Sequence, residues 1–438
     1  MLPEMIVNPH RPLTRGDIGT LVLSALGGSL EFYDFVIFVF FTAVIGQLFF
    51  PPDMPDWLRQ AQAFGIFAAG YLARPLGGII MAHFGDLIGR KRVFTFSVFL
   101  MAVPTLLIGL LPVYADIGYA APLALLLLRI LQGAAIGGEV PGAWVFVAEH
   151  VPPRRMGFAC GLMTSGLTFG TLVGSLAATA VNLALTPAEI HAYGWRLPFL
   201  AGGAFGFLAV YLRSWLQETP VFIEIRRRRE LSAELPVKVI VKRHGRAILT
   251  AALVTWMLSG CLGVLILMTP SLLQKLDGLA PAATLQANSL ASLLGVPATI
   301  LSGIAIDRFG VGRVMMVGAV SLAASAYLLY LGVQAWPAAL LPLYAVVGIC
   351  IGTLPVVPYI LVRVFPAAVR FSGVSFAYNI SYAVFGGLTP VIISLLVIRN
   401  PLAPAHYVAW AAAMGIVAVL GHGWWARGVP IGRIQAAE

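Results

Sequence analysis

The chain has 438 residues, of which 59% are hydrophobic and only 11% are charged, and its mean hydropathy is +0.91. Soluble globular proteins carry about 25% charged residues, so this composition excludes a soluble protein and indicates a polytopic membrane protein. A net charge of +10 would suggest a nucleic-acid partner in a soluble protein. In a membrane protein it reflects basic cytoplasmic loops, and no nucleic-acid partner is expected.

Long apolar runs predict twelve transmembrane helices, because about 20 apolar residues are needed to span a bilayer. With the N-terminus inside, 22 of the 28 Lys and Arg residues lie in cytoplasmic segments and four lie outside. This bias predicts an all-α membrane protein with both termini in the cytoplasm. The predicted spans lie near residues 19–45, 61–84, 93–113, 120–147, 157–181, 197–217, 246–272, 286–306, 314–334, 338–361, 371–397 and 404–426.

The longest connection, residues 218–245, is predicted to be a cytoplasmic loop between two six-helix bundles at 1–217 and 246–438. It contains four consecutive arginines at 226–229. The loop lacks the aromatic residues that would favour nucleic-acid binding, so it is interpreted as a topology anchor and a linker between the halves.

Scattered histidines and cysteines give no sign of a metal site. The seven histidines and three cysteines lack metal-ligand spacing, and no phosphate-binding loop of the Gly-x-x-x-x-Gly-Lys type occurs. The sequence therefore predicts no enzyme, no cofactor and no ATP-driven pump.

A basic loop after the second span, GDLIGRKR at 85–92, has a shorter copy, DRFGVGR at 307–313, almost half a chain length later. The loop and its copy resemble the signature loop of the major facilitator superfamily. Further stretches resemble the metabolite:H+ symporter family within it: LEFYDF at 30–35, RPLGG at 74–78, RILQG at 129–133, GGE at 137–139, EHVP at 149–152, GWRLPF at 194–199, ETP at 218–220, YN at 378–379 and GGLTP at 386–390.

The resemblance covers nearly the whole chain, and it implies two pseudo-symmetric six-helix bundles that work by alternating access. It also implies a monomer in the inner or plasma membrane, energised by the proton gradient. The chain departs from the family pattern at Val364, where a glutamate is usual, and at Arg155-Met156-Gly157. These departures put the cytoplasmic ion pairs of the family in question more than its fold.

Ionisable residues within spans are costly and are therefore candidate functional groups. All five belong to the N-terminal half, whereas the C-terminal half offers only polar candidates. The charged set is Glu31, Asp34, Arg74, Arg129 and Glu139, and the polar set of the other half is Tyr378, Asn379 and Tyr382.

Glu31 and Asp34 are three residues apart and are expected to share one face of the first span. Two close carboxylates in a medium of low dielectric constant cannot both carry a charge cheaply, so one is expected to hold a proton readily. Proton or substrate coupling is the first interpretation. A static pair with Arg74 or Arg129 that only orders the bundle is the alternative.

Arg129 has Gln132 one turn further on the same face, and its guanidinium suits either a protein or a substrate carboxylate. The resemblance adds a link between this position and proton coupling. Arg74 precedes Pro75, and it is interpreted equally as a binding residue or as a helix-packing device. Glu139 is a second coupling candidate, because Gly137 and Gly138 predict irregular backbone beside the cavity.

The basic loop is also a candidate cytoplasmic gate. Gly85 and Gly89 allow a tight turn, and Asp86, Arg90 and Lys91 could pair with Glu149 and Glu218 to close the inner side. Simple topology anchoring is the alternative. In the second half, Asp307 with Arg313 and Arg370 is expected to form a weaker or differently connected pairing.

The leading hypothesis is a secondary transporter in the lipid bilayer that takes up a small organic acid, a carboxylate, together with protons. Arg129, alone or with Arg74, would meet the carboxylate, and Glu31, Asp34 or Glu139 would carry the proton. A proton-linked exporter of drugs or metabolites, a carrier of zwitterions such as proline or betaine, and a non-transporting sensor or partner subunit are the alternatives.

Overall fold

A computed structural model describes residues 13–88, 90–214, 240, 242, 244–366 and 370–421. Within these ranges the side chains of residues 82–95 and 212–214, and those of Arg15, Leu30, Glu31, Phe35, Phe146, Glu149 and His150, lie outside the description. The described part of the chain is helical, and loops and turns connect its helices.

Six long helices build the N-terminal half, and the fourth is divided into two parts. They are α1 (Arg15–Phe40), α2 (Asp56–Ile88), α3 (Arg90–Leu110), α4 (Ala120–Ile136 and Glu139–His150), α5 (Met156–Ala184) and α6 (Arg196–Ser214). Short helices at Thr42–Phe49, Tyr114–Ile117 and Pro187–Glu189 lie between them.

Six further helices follow, and three of them change their helical geometry along their length. They are α7 (Gly245–Leu262, Gly263–Met268 and Thr269–Asp277), α8 (Pro281–Phe309), α9 (Val311–Ala335), α10 (Leu340–Ile351 and Val356–Val364), α11 (Arg370–Ser381, Tyr382–Gly386 and Gly387–Leu396) and α12 (Ala403–Gly421).

The twelve predicted spans are confirmed, with ends that differ by several residues. In the described part of the chain, ten helices are long and apolar enough to cross a membrane, and two shorter apolar helices, Phe96–Leu110 and Arg196–Tyr211, complete the set. The predicted central loop at 218–245 lies mostly outside the described residues, so the domain boundaries there stay a prediction.

Wide π-helical turns interrupt α7 at Gly263–Met268 and α11 at Tyr382–Gly386. Each turn precedes a proline by a few residues, Pro270 in α7 and Pro390 in α11. Proline cannot donate the usual backbone hydrogen bond, and such turns are common where the helical pattern is disturbed. In α7 the Val264 carbonyl accepts both the backbone N–H of Thr269 and, at 2.7 Å, the Thr269 hydroxyl group.

Glycines bring the backbones of α2 and α4 into direct contact. A Cβ atom added to Gly133 would lie 1.8 Å from the carbonyl oxygen of Gly70, and one added to Gly137 would lie 2.0 Å from that of Arg74. This contact holds the segments that carry Arg74 and Arg129 against each other. Gly166, Gly170 and Gly174 are spaced four residues apart, which predicts a small-residue packing face on α5, and Gly170 lies against Ser29 of α1.

Replacing Gly133 with alanine is expected to destabilise the protein by about 1–3 kcal/mol or more, because the added methyl group forces two backbones apart. The measurement is the apparent unfolding temperature of the detergent-solubilised protein. Gly65→Ala on α2 is the matched control, since a Cβ atom there has nothing within 4 Å. Equal unfolding temperatures for Gly133→Ala and wild type would contradict the close packing.

Two helix pairs make the most extensive contacts between the halves. Helix α5 runs along α8: Gly157 lies against Gly303 near one end, and the Ser289 hydroxyl donates to Ser175 Oγ at 2.9 Å near the other. Helix α2 packs on α11, where Gly387 lies close to Tyr71. Charged side chains between these contacts are thereby shut away from solvent.

Candidate functional site

A chain of hydrogen bonds crosses the N-terminal half from α4 to α1. Arg129 Nη1 donates to Gln132 Oε1 at 2.7 Å, and Gln132 Nε2 donates to Thr105 Oγ1 at 2.6 Å. The Thr105 hydroxyl in turn donates to Asp34 Oδ2 at 3.2 Å. The structure therefore brings three of the predicted residues together, through a threonine of α3 that the sequence did not single out.

The Asp34 side chain points into the N-terminal bundle. It lies between α3 and α6, where a Cβ atom added to Gly202 would come within 2.4 Å of Asp34 Oδ1. That oxygen has no hydrogen-bond partner among the residues that the structure describes. A buried carboxylate oxygen without a donor is costly when the group is ionised, so this position favours the uptake of a proton. Glu31 lies one turn earlier on α1, and its side chain is outside the described part.

Arg129 is enclosed by the N-terminal half. Its guanidinium carbon lies 4.3 Å from the ring centroid of Phe38 on α1 and 5.4 Å from that of Phe67 on α2. The side chain is 0% exposed. These contacts place Arg129 beside the Asp34 network rather than against the C-terminal half.

Arg74 instead reaches the other half of the protein. Its guanidinium carbon lies 4.4 Å from the ring centroid of Tyr382 and 5.3 Å from that of Tyr378, both on α11. The Tyr71 ring of α2 completes the enclosure at 5.7 Å. Arg74 is thus the predicted charged residue that meets the polar candidates of the C-terminal half.

The break in α4 occurs where the glycines predicted irregular backbone. Asn379 Nδ2 of α11 donates to the Gly137 carbonyl oxygen, which lacks its usual helical donor because the residue four positions on is Pro141. Glu139 begins the second part of α4 and accepts a hydrogen bond from Ser97 Oγ at 3.2 Å. A carboxylate at a helix N-terminus is favourably placed, which gives Glu139 a structural role beside its predicted coupling role.

Charged and amide groups of the N-terminal half at the centre of the protein are closed to solvent. Asp34, Arg74, Arg129, Gln132 and Glu139 are each at most 3% exposed. Buried charge of this kind needs protein partners, and it marks an energetically demanding site rather than a solvated surface.

Asp307 contacts the opposite half at the cytoplasmic side. Its carboxylate accepts the backbone N–H groups of Gly157 at 2.7 Å and Phe158 at 2.9 Å, in the first turn of α5. It caps this helix instead of pairing with Arg313 or Arg370. Arg313 is exposed at the start of α9, and Arg370 is half-buried at the start of α11. Asp307 therefore contacts the N-terminal half through backbone N–H groups of α5.

The side chains of the gate predicted at the basic loop, residues 85–92, lie outside the described part of the chain. Two of its predicted residues, Gly89 and Glu218, lie outside the described residues. The backbone is described at the other positions, but their side chains are not: Gly85, Asp86, Arg90, Lys91 and Glu149.

Removing the Asp307 cap is expected to open the cytoplasmic side. Losing a helix cap costs about 1–2 kcal/mol, which shifts the ratio of open to closed carrier about 5- to 30-fold. Cys160, one turn into α5 and 1% exposed, is a native probe of this opening. In a background with Cys261→Ser and Cys350→Ser, Asp307→Ala should react with a maleimide at Cys160 faster than the parent does.

Asp307→Asn, which keeps an acceptor oxygen, is the matched control and should react at a rate between the two. Identical labelling of the alanine variant and the parent would show that the cap does not hold the cytoplasmic side closed.

Sequence reasoning missed Thr105 and Tyr71. A lone threonine in an apolar span usually donates a hydrogen bond to its own helix, and Thr105 does so to the Met101 carbonyl at 3.0 Å. Nothing in the sequence around Thr105 therefore distinguishes it from a structural threonine. Tyr71 could have been found, because it lies three residues before Arg74 and helical residues at that spacing are neighbours.

Comparison with known proteins gives the family. The family model of the Major Facilitator Superfamily matches residues 35–390. The chain is 31% identical over 409 residues to a putative proline/betaine transporter of Staphylococcus aureus (strain COL), covering 91% of this chain and 87% of that one. It is 32% identical over 448 residues to the ectoine/proline transporter ProP of Corynebacterium glutamicum, covering 95% and 85%.

Solved structures show the same fold. The proton:xylose symporter XylE bound to 6-bromo-6-deoxy-D-glucose aligns with a TM-score of 0.75 at 15% identity, over 94% of this chain and 96% of that chain. A partially occluded inward-open form of the xylose transporter of E. coli gives 0.72 at 16% identity, over 95% and 98%. The chain therefore belongs to the major facilitator superfamily, and it is a multi-pass secondary transporter of the cell membrane rather than an enzyme.

Proposed function

We propose that this transporter takes up a small carboxylate-bearing solute together with protons, as a monomer and without a cofactor. The observation that carries the proposal is the hydrogen-bond chain from Arg129 through Gln132 and Thr105 to Asp34. It connects a fully buried cation to a fully buried acid through two neutral groups.

Thr105 can report the protonation of Asp34. Its single hydroxyl hydrogen lies within reach of two acceptors, Asp34 Oδ2 at 3.2 Å and the Met101 carbonyl at 3.0 Å. An ionised Asp34 attracts this hydrogen, and a protonated Asp34 releases it to Met101. Gln132 donates to the same hydroxyl oxygen and accepts a hydrogen bond from Arg129. Reorientation of the Thr105 hydroxyl group therefore alters the hydrogen bonds of Gln132 and, through it, of Arg129. Asp34 is the proton carrier in this scheme, and Thr105 and Gln132 are positioning residues.

Arg74 is the group that would meet the solute. It lies between the halves, where transporters of this architecture bind their substrates. A guanidinium can hold a carboxylate through two parallel hydrogen bonds. The names of the relatives support proline, betaine or ectoine over di- and tricarboxylic acids. The proton site lies inside the N-terminal bundle and the solute site lies between the two bundles. Proton and solute can therefore both bind before the two halves move relative to each other.

The test is uptake of radiolabelled proline, glycine betaine and succinate by cells that express the protein, each with and without a protonophore. We expect concentrative uptake of at least one of these solutes, and we expect the protonophore to abolish it. Uptake that is unchanged by the protonophore would refute proton coupling. Expression-dependent resistance to toxic compounds without accumulation of any of the three solutes would favour the exporter.

A further inference from the structure

Three tyrosines form a closed cage around the guanidinium of Arg74. Besides their distances to Arg74, the rings of Tyr378 and Tyr382 lie 5.1 Å apart, and those of Tyr71 and Tyr382 lie 5.2 Å apart. None of the three side chains is more than 3% exposed. A cation within about 6 Å of several aromatic faces is held by their electrostatic attraction, and the attraction is strongest where water is excluded.

The cage is rigid, and both halves contribute to it. The Trp144 ring of α4 packs edge-on against Tyr378 with centroids 4.9 Å apart. Tyr382 begins the π-helical turn of α11, and a Cβ atom added to Gly386 would lie 2.8 Å from its ring. Tyr71 comes from α2. The rings therefore surround a cation only when the two halves lie together, as they do in this closed structure.

Aromatic faces attract cations without requiring a hydrogen-bond donor. A guanidinium and a quaternary ammonium can therefore occupy the same cage, and aromatic cages are a recognised way to bind quaternary ammonium groups. We propose that the tyrosine cage is the subsite for the positively charged nitrogen of the solute, and that Arg74 occupies it when the closed carrier is empty. This inference rests on the proposed function and names the substrate class of the same site.

Loading then exchanges one cation for another. The solute nitrogen enters the cage, and the displaced guanidinium binds the solute carboxylate beside it. The zwitterion adds one positive and one negative charge to the closed site, so the net buried charge is the same with and without solute, and each added charge has a partner in the aromatic faces or the guanidinium. A solute with only one of the two charges changes the net buried charge of the closed site by one unit, which is costly where water is excluded. The substrate class is a compact zwitterion.

The test compares three ligands of similar shape on the purified protein: glycine betaine, choline, which lacks the carboxylate, and 3,3-dimethylbutanoate, in which carbon replaces the charged nitrogen. Affinities are measured by displacement of radiolabelled betaine and by thermal stabilisation. For the wild type we expect betaine to bind at least about tenfold more tightly than either analogue.

Variants of Tyr382 separate the ring from its hydroxyl group. Tyr382→Leu should weaken betaine binding by about 10- to 30-fold and leave 3,3-dimethylbutanoate within about threefold, because only the charged ligand uses the aromatic face. Tyr382→Phe keeps that face and should bind betaine within about threefold of wild type. An equal loss for betaine and 3,3-dimethylbutanoate in Tyr382→Leu would show that the tyrosine only shapes the pocket, and it would overturn the proposal.

Arg74→Gln is a second, independent test of the cage, and it applies even if the Tyr382 variants do not fold. Removing the internal cation should raise the affinity for choline about tenfold or more, since choline no longer competes with the guanidinium. Unchanged choline binding in this variant would also overturn the proposal.

The two proposals can fail separately. If uptake is proton-driven but the ligand affinities of the Tyr382 and Arg74 variants equal those of the wild type, the cage proposal is refuted and the transport mechanism is retained. If the affinities for the three ligands change as expected but a protonophore leaves uptake unchanged, proton coupling is refuted and the cage proposal is retained.

Discussion

Replacing Asp34 with asparagine is expected to abolish proton-driven accumulation while leaving exchange of solute across the membrane. At a membrane potential of 100 mV, one proton moved with a neutral solute supplies about 2.3 kcal/mol, enough for an accumulation ratio of roughly 45-fold. Asparagine keeps an oxygen that can accept the Thr105 hydrogen bond, but it cannot take up a proton. The ratio should therefore fall to about 1, measured as internal against external radiolabelled solute at steady state.

Two further measurements attribute the lost accumulation to proton coupling: solute exchange by preloaded vesicles, and accumulation by a variant of a surface acid. Vesicles preloaded with unlabelled solute should still exchange it through Asp34→Asn within a few-fold of the wild-type rate, since the substitution leaves the proposed solute subsite at Arg74 unchanged. Asp53→Asn removes an exposed acid from an external loop and should accumulate solute like wild type. Accumulation well above equilibrium by Asp34→Asn would mean that another group carries the proton.

Arg74→Ala is expected to be the second severe change. It removes the proposed anion-binding group and the cation within the tyrosine cage. A hydrogen bond to a charged group contributes about 1.5–3 kcal/mol, so the affinity for a carboxylate-bearing solute should fall by about 10- to 150-fold. The measurement is the concentration dependence of initial uptake in vesicles. Arg74→Lys keeps the charge but not the planar fork, and it should retain an intermediate affinity.

Arg399→Ala, at an exposed cation after α11, is the matched control and should transport like wild type. Equal membrane content of both variants, checked by quantitative blotting, removes insertion as a cause. Wild-type affinity in Arg74→Ala would exclude Arg74 from solute binding.

The sequence predicted the features that depend on local chemistry. Hydrophobicity over a span of about 20 residues reports the cost of burying backbone in lipid, so the twelve helices could be placed without knowing how they pack. The cost of an intramembrane charge likewise singled out Asp34, Arg74 and Arg129. The glycine spacing on α5 likewise indicated a face for close helix packing.

Rotation of each helix about its own axis was not readable in the same way. Asp34 faces Thr105 and Gly202 inside the bundle, and this orientation is decided by the packing of α1 on α3 and α6. The sequence suggested that Arg129 would meet the solute first and Arg74 second. Our proposal places Arg74 first instead, because contacts between distant helices bring Arg74 to α11 and keep Arg129 within its own half.

Solute-driven proton movement is the most direct test of the central claim that Asp34 couples a proton to the solute. Purified protein in liposomes without a membrane potential or a pH gradient receives an inward gradient of betaine or proline, and a trapped dye reports the internal pH. We expect the wild-type lumen to acidify as solute enters and the Asp34→Asn lumen to stay at its starting pH while solute still enters. Entry of solute through the wild type without acidification, or equal acidification with Asp34→Asn, would contradict the mechanism.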